Sequence, residues 1–205
     1  MSSREAILSS LRNAVVPSVD APPADFAHQS FEDPLAHFIE VLESVGGKAI
    51  QLPSGASSSE LLSHLPVDLA TSKVVSLFPD LLPGNVDLAA INDPHDLHDI
   101  GLALLGGQLG VAENGAIWLD LTSVKHRVIC VLAEHVAILL PASQIVSTMH
   151  EAYRQVSELE SAAGLLQTPR FGLFLSGPSK TADIEQSLVI GAHGARSLTV
   201  FLAAD

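Results

Sequence analysis

The segment at residues 171–194 constrains the fold most, because an apolar run, a polar turn and a helical pattern follow one another there. The run at residues 171–175 is short and almost wholly apolar, which is typical of a strand covered on both faces. Three polar residues beyond a Gly-Pro pair are suitable helix N-caps, namely Ser179, Thr181 and Asp183. Ile184 and Leu188 have the spacing of one helix face, so the segment predicts a strand, a turn and a helix that ends at Gly191.

The predicted turn carries the groups that an anion site needs. In open α/β sheets, ligands bind at the carboxyl ends of the strands, and a helix N-terminus there offers free amides to an anion. Lys180 adds a cation to the same turn. The alternative is that the polar residues only cap the helix, but capping needs one such residue and the turn has several. We therefore predict a site for a small carboxylate or phosphate, lined by Gly177, Ser179, Lys180, Thr181, Asp183 and Glu185.

Strand and helix signals alternate along the rest of the chain. Apolar runs bounded by turn residues predict strands at residues 48–52, 74–78, 86–91, 100–105, 116–120, 127–132, 135–140 and 198–203. Helix starts are predicted at Ser2, at Asp33, in the serine-rich residues 54–59 and at Asp93, and a long helix is predicted at 143–162. The pattern predicts an α/β fold with a β-rich insertion, built as an N-terminal helix and proline-rich arm at residues 1–32 and one domain at 33–205.

Charge and cysteine content exclude several classes of function. The chain has 10 Lys and Arg against 23 Asp and Glu, a formal charge of −13, so its field repels nucleic acid and anionic membranes. Cys130 is the single cysteine, so a cysteine-ligated iron–sulfur cluster cannot form within this chain. The first residues lack the apolar core of a signal peptide. We expect a cytoplasmic protein without membrane insertion, and any iron–sulfur chemistry in a partner.

Two motifs together resemble a known family. They are residues 110–120, GVAENGAIWLD, and residues 176–185, SGPSKTADIE. In this order and about sixty residues apart, they resemble the LUD-domain proteins, specifically the lactate-utilisation protein C family. The chain departs from the family at Lys180, where an Arg is usual, and at residues 114–116, where Thr-Gly-Thr is frequent. Lysine keeps the cation but lacks the bidentate fork of arginine.

The resemblance implies a Rossmann-like three-layer fold similar to the sugar-phosphate isomerase and CoA-transferase superfamily. It also implies a role beside two partner proteins, at least one with iron–sulfur clusters, in the oxidation of L-lactate to pyruvate. The expected function is an accessory subunit that binds a small anion and holds no cofactor of its own. The alternatives are a stand-alone enzyme and a non-catalytic scaffold for an iron–sulfur partner.

Glu113 is the candidate catalytic residue of the enzyme alternative, a CoA-transferase-like or sugar-phosphate-type enzyme. Its Ala-Glu-Asn-Gly context resembles the glutamate motif of class I CoA-transferases, in which the carboxylate attacks an acyl-CoA. The competing interpretation is a two-residue hairpin turn at Asn114 and Gly115, with Glu113 exposed beside it.

His95 and His98 are weak candidates for a metal site, since two histidines three positions apart on a helix can converge on one ion. Ordinary solvated capping of a first helical turn explains them equally simply. We therefore predict no metal site.

Overall fold

The structure, a computed structural model, describes residues 2–14, 19–20, 30–162, 171–182 and 186–204. Its α-helices are α1 Ser3–Asn13, α2 Pro34–Ser44, α3 Ser58–Ser63, α4 Ile129–Leu132 and α5 Met149–Ala162, and 3-10 turns lie at Pro94–Leu97 and Ala142–Gln144. Its strands are β1 Lys48–Leu52, β2 Lys73–Ser76, β3 Ile100–Gly106, β4 Leu109–Val111, β5 Ala116–Asp120, β6 His135–Pro141, β7 Ile145–Val146, β8 Gly172–Leu175, β9 Lys180–Thr181, β10 Val189–Ile190 and β11 Ser197–Ala203.

A parallel sheet with the strand order β1-β11-β6-β3-β2 forms the centre of the fold. Its inner strands are almost continuously apolar, which is typical of parallel strands covered on both faces. One face packs against α2, α4 and the second sheet around Phe38 and Ile138. The other face packs around Leu61 of α3 and Phe201 of β11. The predicted α/β fold is confirmed.

A second sheet with the order β7-β4-β5-β8 contains the predicted β-rich insertion. Strand β5 runs antiparallel to β4 and to β8, whereas β7 runs parallel to β4. Ile117 of β5 is fully buried in the same core as the parallel sheet, so the two sheets form one packed unit. No helix within the described part of the chain has the length and apolar character needed to span a bilayer.

The two N-terminal helices begin where their caps predict. The Ser2 and Glu5 side chains each bond the other's backbone amide at the start of α1, but no residue of this helix is buried. Asp33 accepts a hydrogen bond from the Ala36 amide at 3.0 Å, and Pro34 occupies the first position of α2. Phe38 and Leu42 of α2 are fully buried. Helix α2 therefore belongs to the core, whereas α1 does not.

Two predicted strands are wrong. Residues 86–91 form turns, because the Asn85 and Val86 amides both donate to Val74 and the Asp87 carboxylate accepts from the Ala89 amide. The run at 127–132 contains α4 instead of a strand. A short apolar run fits either a strand or a buried helical turn, and periodicity alone does not separate the two.

The predicted start of the long helix at residue 143 is also wrong, since α5 begins at Met149. The Thr148 hydroxyl accepts from the Glu151 amide at 3.3 Å. This Thr-x-x-Glu pattern is a capping signature, so the sequence does contain a signal for the start of α5 that the structure shows. Ile145 and Val146 pair with β4 instead of continuing the helix.

The helix predicted after residue 181 is wrong over the described residues, because Val189–Ile190 pair with Lys180–Thr181 as an antiparallel hairpin. Gln186 has a φ of 58°, outside the right-handed helical region. The β-branched pair at 189–190 suits a strand, and Leu188 is 63% exposed, so no buried helix face exists there. Strand β8 forms as predicted, but it is a half-buried edge strand and is not covered on both faces.

Candidate functional site

The two motifs that lie sixty residues apart in the sequence meet in the structure. Strand β8 pairs with β5, so that Leu175 lies beside Ile117. One residue further, the Ser176 hydroxyl donates to the Asn114 carbonyl at 2.8 Å. The polar turn that follows β8 is therefore joined to the hairpin between β4 and β5.

A cleft of about 400 Å³ opens beside this junction, and we call it the Lys180 cleft. It is lined by Cys130, Val131, Val136, residues 174–180, His193, Gly194, Ala195 and Leu198. Val136 and Leu198 are the second residues of β6 and β11, so the cleft lies at the amino-terminal edge of the parallel sheet. The prediction of a carboxyl-edge site at a helix N-terminus is wrong, because β8 pairs antiparallel with β5 in the second sheet and a hairpin follows it.

Lys180 is the lysine that lines the cleft. Its Cε and Nζ atoms lie 3.4 Å from the position that a Cβ would take on Gly46, just beyond the C-terminus of α2. A helix C-terminus carries partial negative charge, which favours a cation there. No carboxylate among residues 2–14, 19–20, 30–162, 171–182 and 186–204 pairs with this ammonium group. The side chain is exposed, so its charge is available to a ligand.

Backbone contacts hold the turn in place on both sides. The Ser179 amide donates to the Ala195 carbonyl, and the Ser179 carbonyl accepts from the Gly191 amide, both at 2.9 Å. Gly177 has a φ of 70°, and a Cβ there would lie 2.7 Å from the Val45 carbonyl oxygen. Only glycine fits this position without strain. Thr181 pairs with Val189 in the hairpin.

Two predicted site residues, Asp183 and Glu185, lie outside the described residues.

Glu113 is exposed and caps α5. Its Oε2 atom accepts a hydrogen bond from the Met149 amide at 2.9 Å. The neighbouring turn is a hairpin, as one interpretation predicted, but four residues rather than two separate the paired Val111 and Ala116. Gly115 has a φ of 65°, and a Cβ there would lie 2.9 Å from the Leu42 amide nitrogen. The turn and the carboxylate thus have structural roles, and the nucleophile interpretation of Glu113 stays a prediction.

His95 and His98 make local contacts away from the cleft. The His95 ring bonds the Asp93 carboxylate at 2.7 Å, and the His98 ring bonds the His95 carbonyl at 3.0 Å. The hydrogen bond from the His95 amide, followed by that from its ring, lowers the pKa of Asp93. In the described part of the chain, no group of three or more His, Cys, Asp or Glu side chains is placed to hold a metal ion.

Comparison with known proteins identifies the family. A family model described as the LUD domain matches residues 67–203, which include every described residue of the Lys180 cleft. The chain belongs to the LUD domain family. The resemblance predicted from the two motifs is thereby confirmed.

Similar proteins include lactate utilization proteins and a protein without an assigned function. A lactate utilization protein C of Shouchella clausii is 33% identical over 99 residues, which are 48% of this chain and 41% of that relative. An uncharacterized protein of Neisseria meningitidis serogroup B is 24% identical over 98% of this chain and 93% of its own length. The chain thus matches less than half the length of the lactate utilization protein C of Shouchella clausii.

A solved structure has the same fold as this LUD domain. It is the crystal structure of a DUF162 family protein from Deinococcus radiodurans, with a TM-score of 0.62 and 17% sequence identity. The match covers 83% of this chain and 96% of that chain. At this identity the likeness supports the fold alone.

Sequence reasoning missed the wall of the cleft formed by α4. Cys130 and Val131 line the cleft from this helix, whereas the sequence predicted a strand there. The Cys130 thiol donates to the Arg127 carbonyl, and burial raises the pKa of this thiol, so it is a neutral wall residue and not a thiolate. The burial pattern of this segment is helical, since Ile129 and Cys130 are buried and Val128 and Val131 are exposed. The run of six residues at 127–132 is too short for its sequence to reveal a helical period.

A polar network lies at the start of the strands that border the cleft. The Arg196 guanidinium bonds the Glu134 carboxylate at 2.6 Å, and the His135 ring bonds the Ser197 hydroxyl at 2.8 Å. Burial lowers the pKa of His135, the Arg196 charge lowers it further, and the Glu134 charge raises it. His135 and Ser197 each precede a cleft-lining residue in their strand, so their side chains point to the opposite face of the sheet.

A second cleft of about 450 Å³ lies at the carboxyl end of β2 and includes Lys125. The Lys125 ammonium group donates to the Ala89 carbonyl at 2.7 Å, so its charge holds two loops together. Lys125 is therefore a suitable control residue for Lys180, since it is a lysine in a different cleft.

Proposed function

We propose that this LUD domain chain is an accessory subunit of a cytoplasmic system that oxidises L-lactate to pyruvate, and that it binds a small carboxylate in the Lys180 cleft. The observation that carries the proposal is the meeting of the two family motifs beside Lys180, whose ammonium group pairs with no carboxylate of the described residues. The relatives named lactate utilization protein C supply the class of ligand.

The cleft has the donors that a carboxylate requires. The Lys180 ammonium supplies a charge-assisted hydrogen bond, which is about twice as strong as a neutral one. Ser179 and His193 line the same space, while the Ser176 hydroxyl at its edge already donates to the Asn114 carbonyl. The surrounding chain is acidic, so a cation at the cleft favours an anion there over the acidic parts of the surface.

Electron transfer in this proposal belongs to partner proteins. A cluster of the usual iron–sulfur type needs four cysteine thiolates, and this chain has one cysteine, so its residues do not fit such a cofactor. We propose iron–sulfur proteins as the partners. The capping contact of Glu113 with Met149 favours this accessory role over the alternative in which Glu113 attacks an acyl-CoA.

Calorimetric titration with lactate, pyruvate and a nucleotide tests the site. Lys180→Ala is expected to weaken carboxylate binding by about 10- to 100-fold, since a hydrogen bond to a charged group contributes about 1.5–3 kcal/mol. Lys125→Ala is the matched control and should bind as the wild type does. Identical titration curves for wild type and Lys180→Ala would refute the proposal that Lys180 binds the carboxylate.

Co-purification with iron–sulfur proteins tests the partner. Lactate-dependent dye reduction by the purified partners should require this chain, and Lys180→Ala should not restore it. A Lys180→Ala chain that restores full dye reduction would support the scaffold alternative instead. Acyl-CoA turnover by this chain alone would support the enzyme alternative.

A further inference from the structure

The lining of the Lys180 cleft combines two chemical kinds of residue. Its polar residues are Ser176, Ser179, Lys180 and His193. Its apolar residues, which we call the apolar wall, are Cys130, Val131, Val136, Phe174, Leu175 and Leu198. A carboxylate anchored at the ammonium group therefore has an apolar surface within the same cleft. This arrangement resembles ligand pockets in general, in which few polar groups orient a molecule that hydrophobic residues surround.

The volume of the cleft exceeds what lactate fills. Lactate has six non-hydrogen atoms and occupies roughly the volume of four water molecules, about 120 Å³ at about 30 Å³ per water. The cleft measures about 400 Å³. A bound lactate would thus leave more than half of the space to water that lies against the apolar wall. Removing that water by a longer apolar tail is favourable.

Val131 is the most exposed apolar residue of this wall. It is 42% exposed, while Phe174 and Leu175 are partly buried and Val136 and Leu198 are each 1% exposed. Its Cγ1 atom lies 3.6 Å from the position that a Cβ would take on Gly194, and the same position lies 2.9 Å from the Ser179 Cβ, so Val131 adjoins the residue that precedes Lys180. A ligand tail that leaves the Lys180 end along this wall covers Val131.

We propose that the Lys180 cleft selects 2-hydroxy or 2-oxo carboxylates whose apolar tail is longer than the methyl group of lactate, with Val131 as a specificity-determining residue. This inference rests on the proposed function, because it takes the carboxylate to be held by Lys180. It goes further by assigning the substrate class to acids with tails longer than one carbon. Each methylene buried on the wall tightens binding by up to about fourfold.

A chain-length series measured by calorimetry tests the assignment. The ligands are lactate, 2-hydroxybutyrate, 2-hydroxypentanoate and 2-hydroxyhexanoate, and hexane-1,2-diol is the probe without a carboxylate. The dissociation constant is expected to fall two- to fourfold with each added carbon, and the diol should not bind measurably. Lys180→Ala should weaken every acid, since the carboxylate is common to all of them.

Val131→Ser isolates the apolar contact. This variant should flatten the chain-length dependence and leave the affinity for lactate within twofold of wild type. Val128→Ser is the matched control, because Val128 precedes the same short helix, is 36% exposed and lines a different depression. It should retain the wild-type series.

The outcomes separate the two proposals. If none of the acids binds wild type, the proposed anion site itself fails. If lactate binds and loses affinity in Lys180→Ala, but the series is flat or weakens with length, only the assignment of longer acids is overturned. An equal loss of slope in Val128→Ser and Val131→Ser would also overturn it, because the contact would then not be specific to the cleft.

Discussion

Replacing Glu113 distinguishes a helix cap from a catalytic carboxylate. Its Oε2 atom lies 2.9 Å from the Met149 nitrogen, the first amide of α5. The Thr148 hydroxyl and carbonyl accept from the amides of Glu151 and Ala152, so Glu113 supplies one of several caps. Because the side chain is exposed, water replaces the lost contact, and the cost lies near the middle of the range for helix caps.

Glu113→Ala should therefore lower the free energy of unfolding by about 1 kcal/mol. In a domain of this size, that change lowers the midpoint of thermal unfolding by about 2–4 °C. Glu113→Gln keeps an acceptor and loses only the charge next to the positive end of the helix, so its cost should be about 0.3–1 kcal/mol. The order of stability expected is wild type, then Gln, then Ala.

Scanning calorimetry measures these midpoints, and hydrogen exchange at the Met149 amide reports the contact itself. Glu40→Ala is the control, since the Glu40 carboxylate is 81% exposed and only approaches His37 at 3.9 Å. If Glu113→Ala melts like wild type, the capping argument is refuted. If borohydride reduces the Glu113 carboxyl to an alcohol after incubation with acyl-CoA, as detected by mass spectrometry, a glutamyl thioester had formed and the nucleophile interpretation is established in its place.

Two further predictions concern the residues around the cleft. Gly177→Ala should lower the free energy of unfolding by about 3 kcal/mol in urea titrations, because it combines an unfavourable φ with a clash at the Val45 carbonyl. Gly55 has a similar φ, and a Cβ there would meet no atom of the described residues within 4 Å, so Gly55→Ala should cost only about 1 kcal/mol, and equal costs would exclude the clash as the cause. The lowered pKa of His135 means that the folded state favours the neutral form of its ring. Its contribution to stability is present above about pH 6.5 and is lost as the pH falls through the lower folded pKa. His135→Gln should reduce this loss of stability between pH 7.5 and pH 5, and an unchanged pH dependence would show that other groups cause it.

Local signals predicted the elements that depend on neighbouring residues only. The Asp33 cap and Pro34 start α2, and the apolar runs at 100–105, 116–120, 135–140 and 198–203 become strands. These predictions hold because caps and strand-forming runs act within a few residues of the chain. Where two local interpretations compete, as at residues 127–132, packing against the rest of the protein selects one of them.

The sequence also predicted the chemical groups of the candidate site but not their location. The polar groups of residues 176–180 and the cation at Lys180 were predicted from the sequence, as was their resemblance to the LUD domain. Their location at the amino-terminal edge of the parallel sheet was not, because the direction of β8 depends on its pairing with β5. The wall contributed by Val131 also depends on α4, which only tertiary packing distinguishes from a strand.

By itself, the sequence determined the family, the α/β class and the chemical groups of the turn after β8, since motifs, periodicity and charge are properties of the chain. The tertiary structure decided that this turn leads to a hairpin and not to a helix, that it joins the Asn114 turn, and that apolar residues line the same cleft as Lys180. The physical reason is that strand pairing and burial involve residues far apart in sequence, and their free energies exceed the local preferences of a short segment.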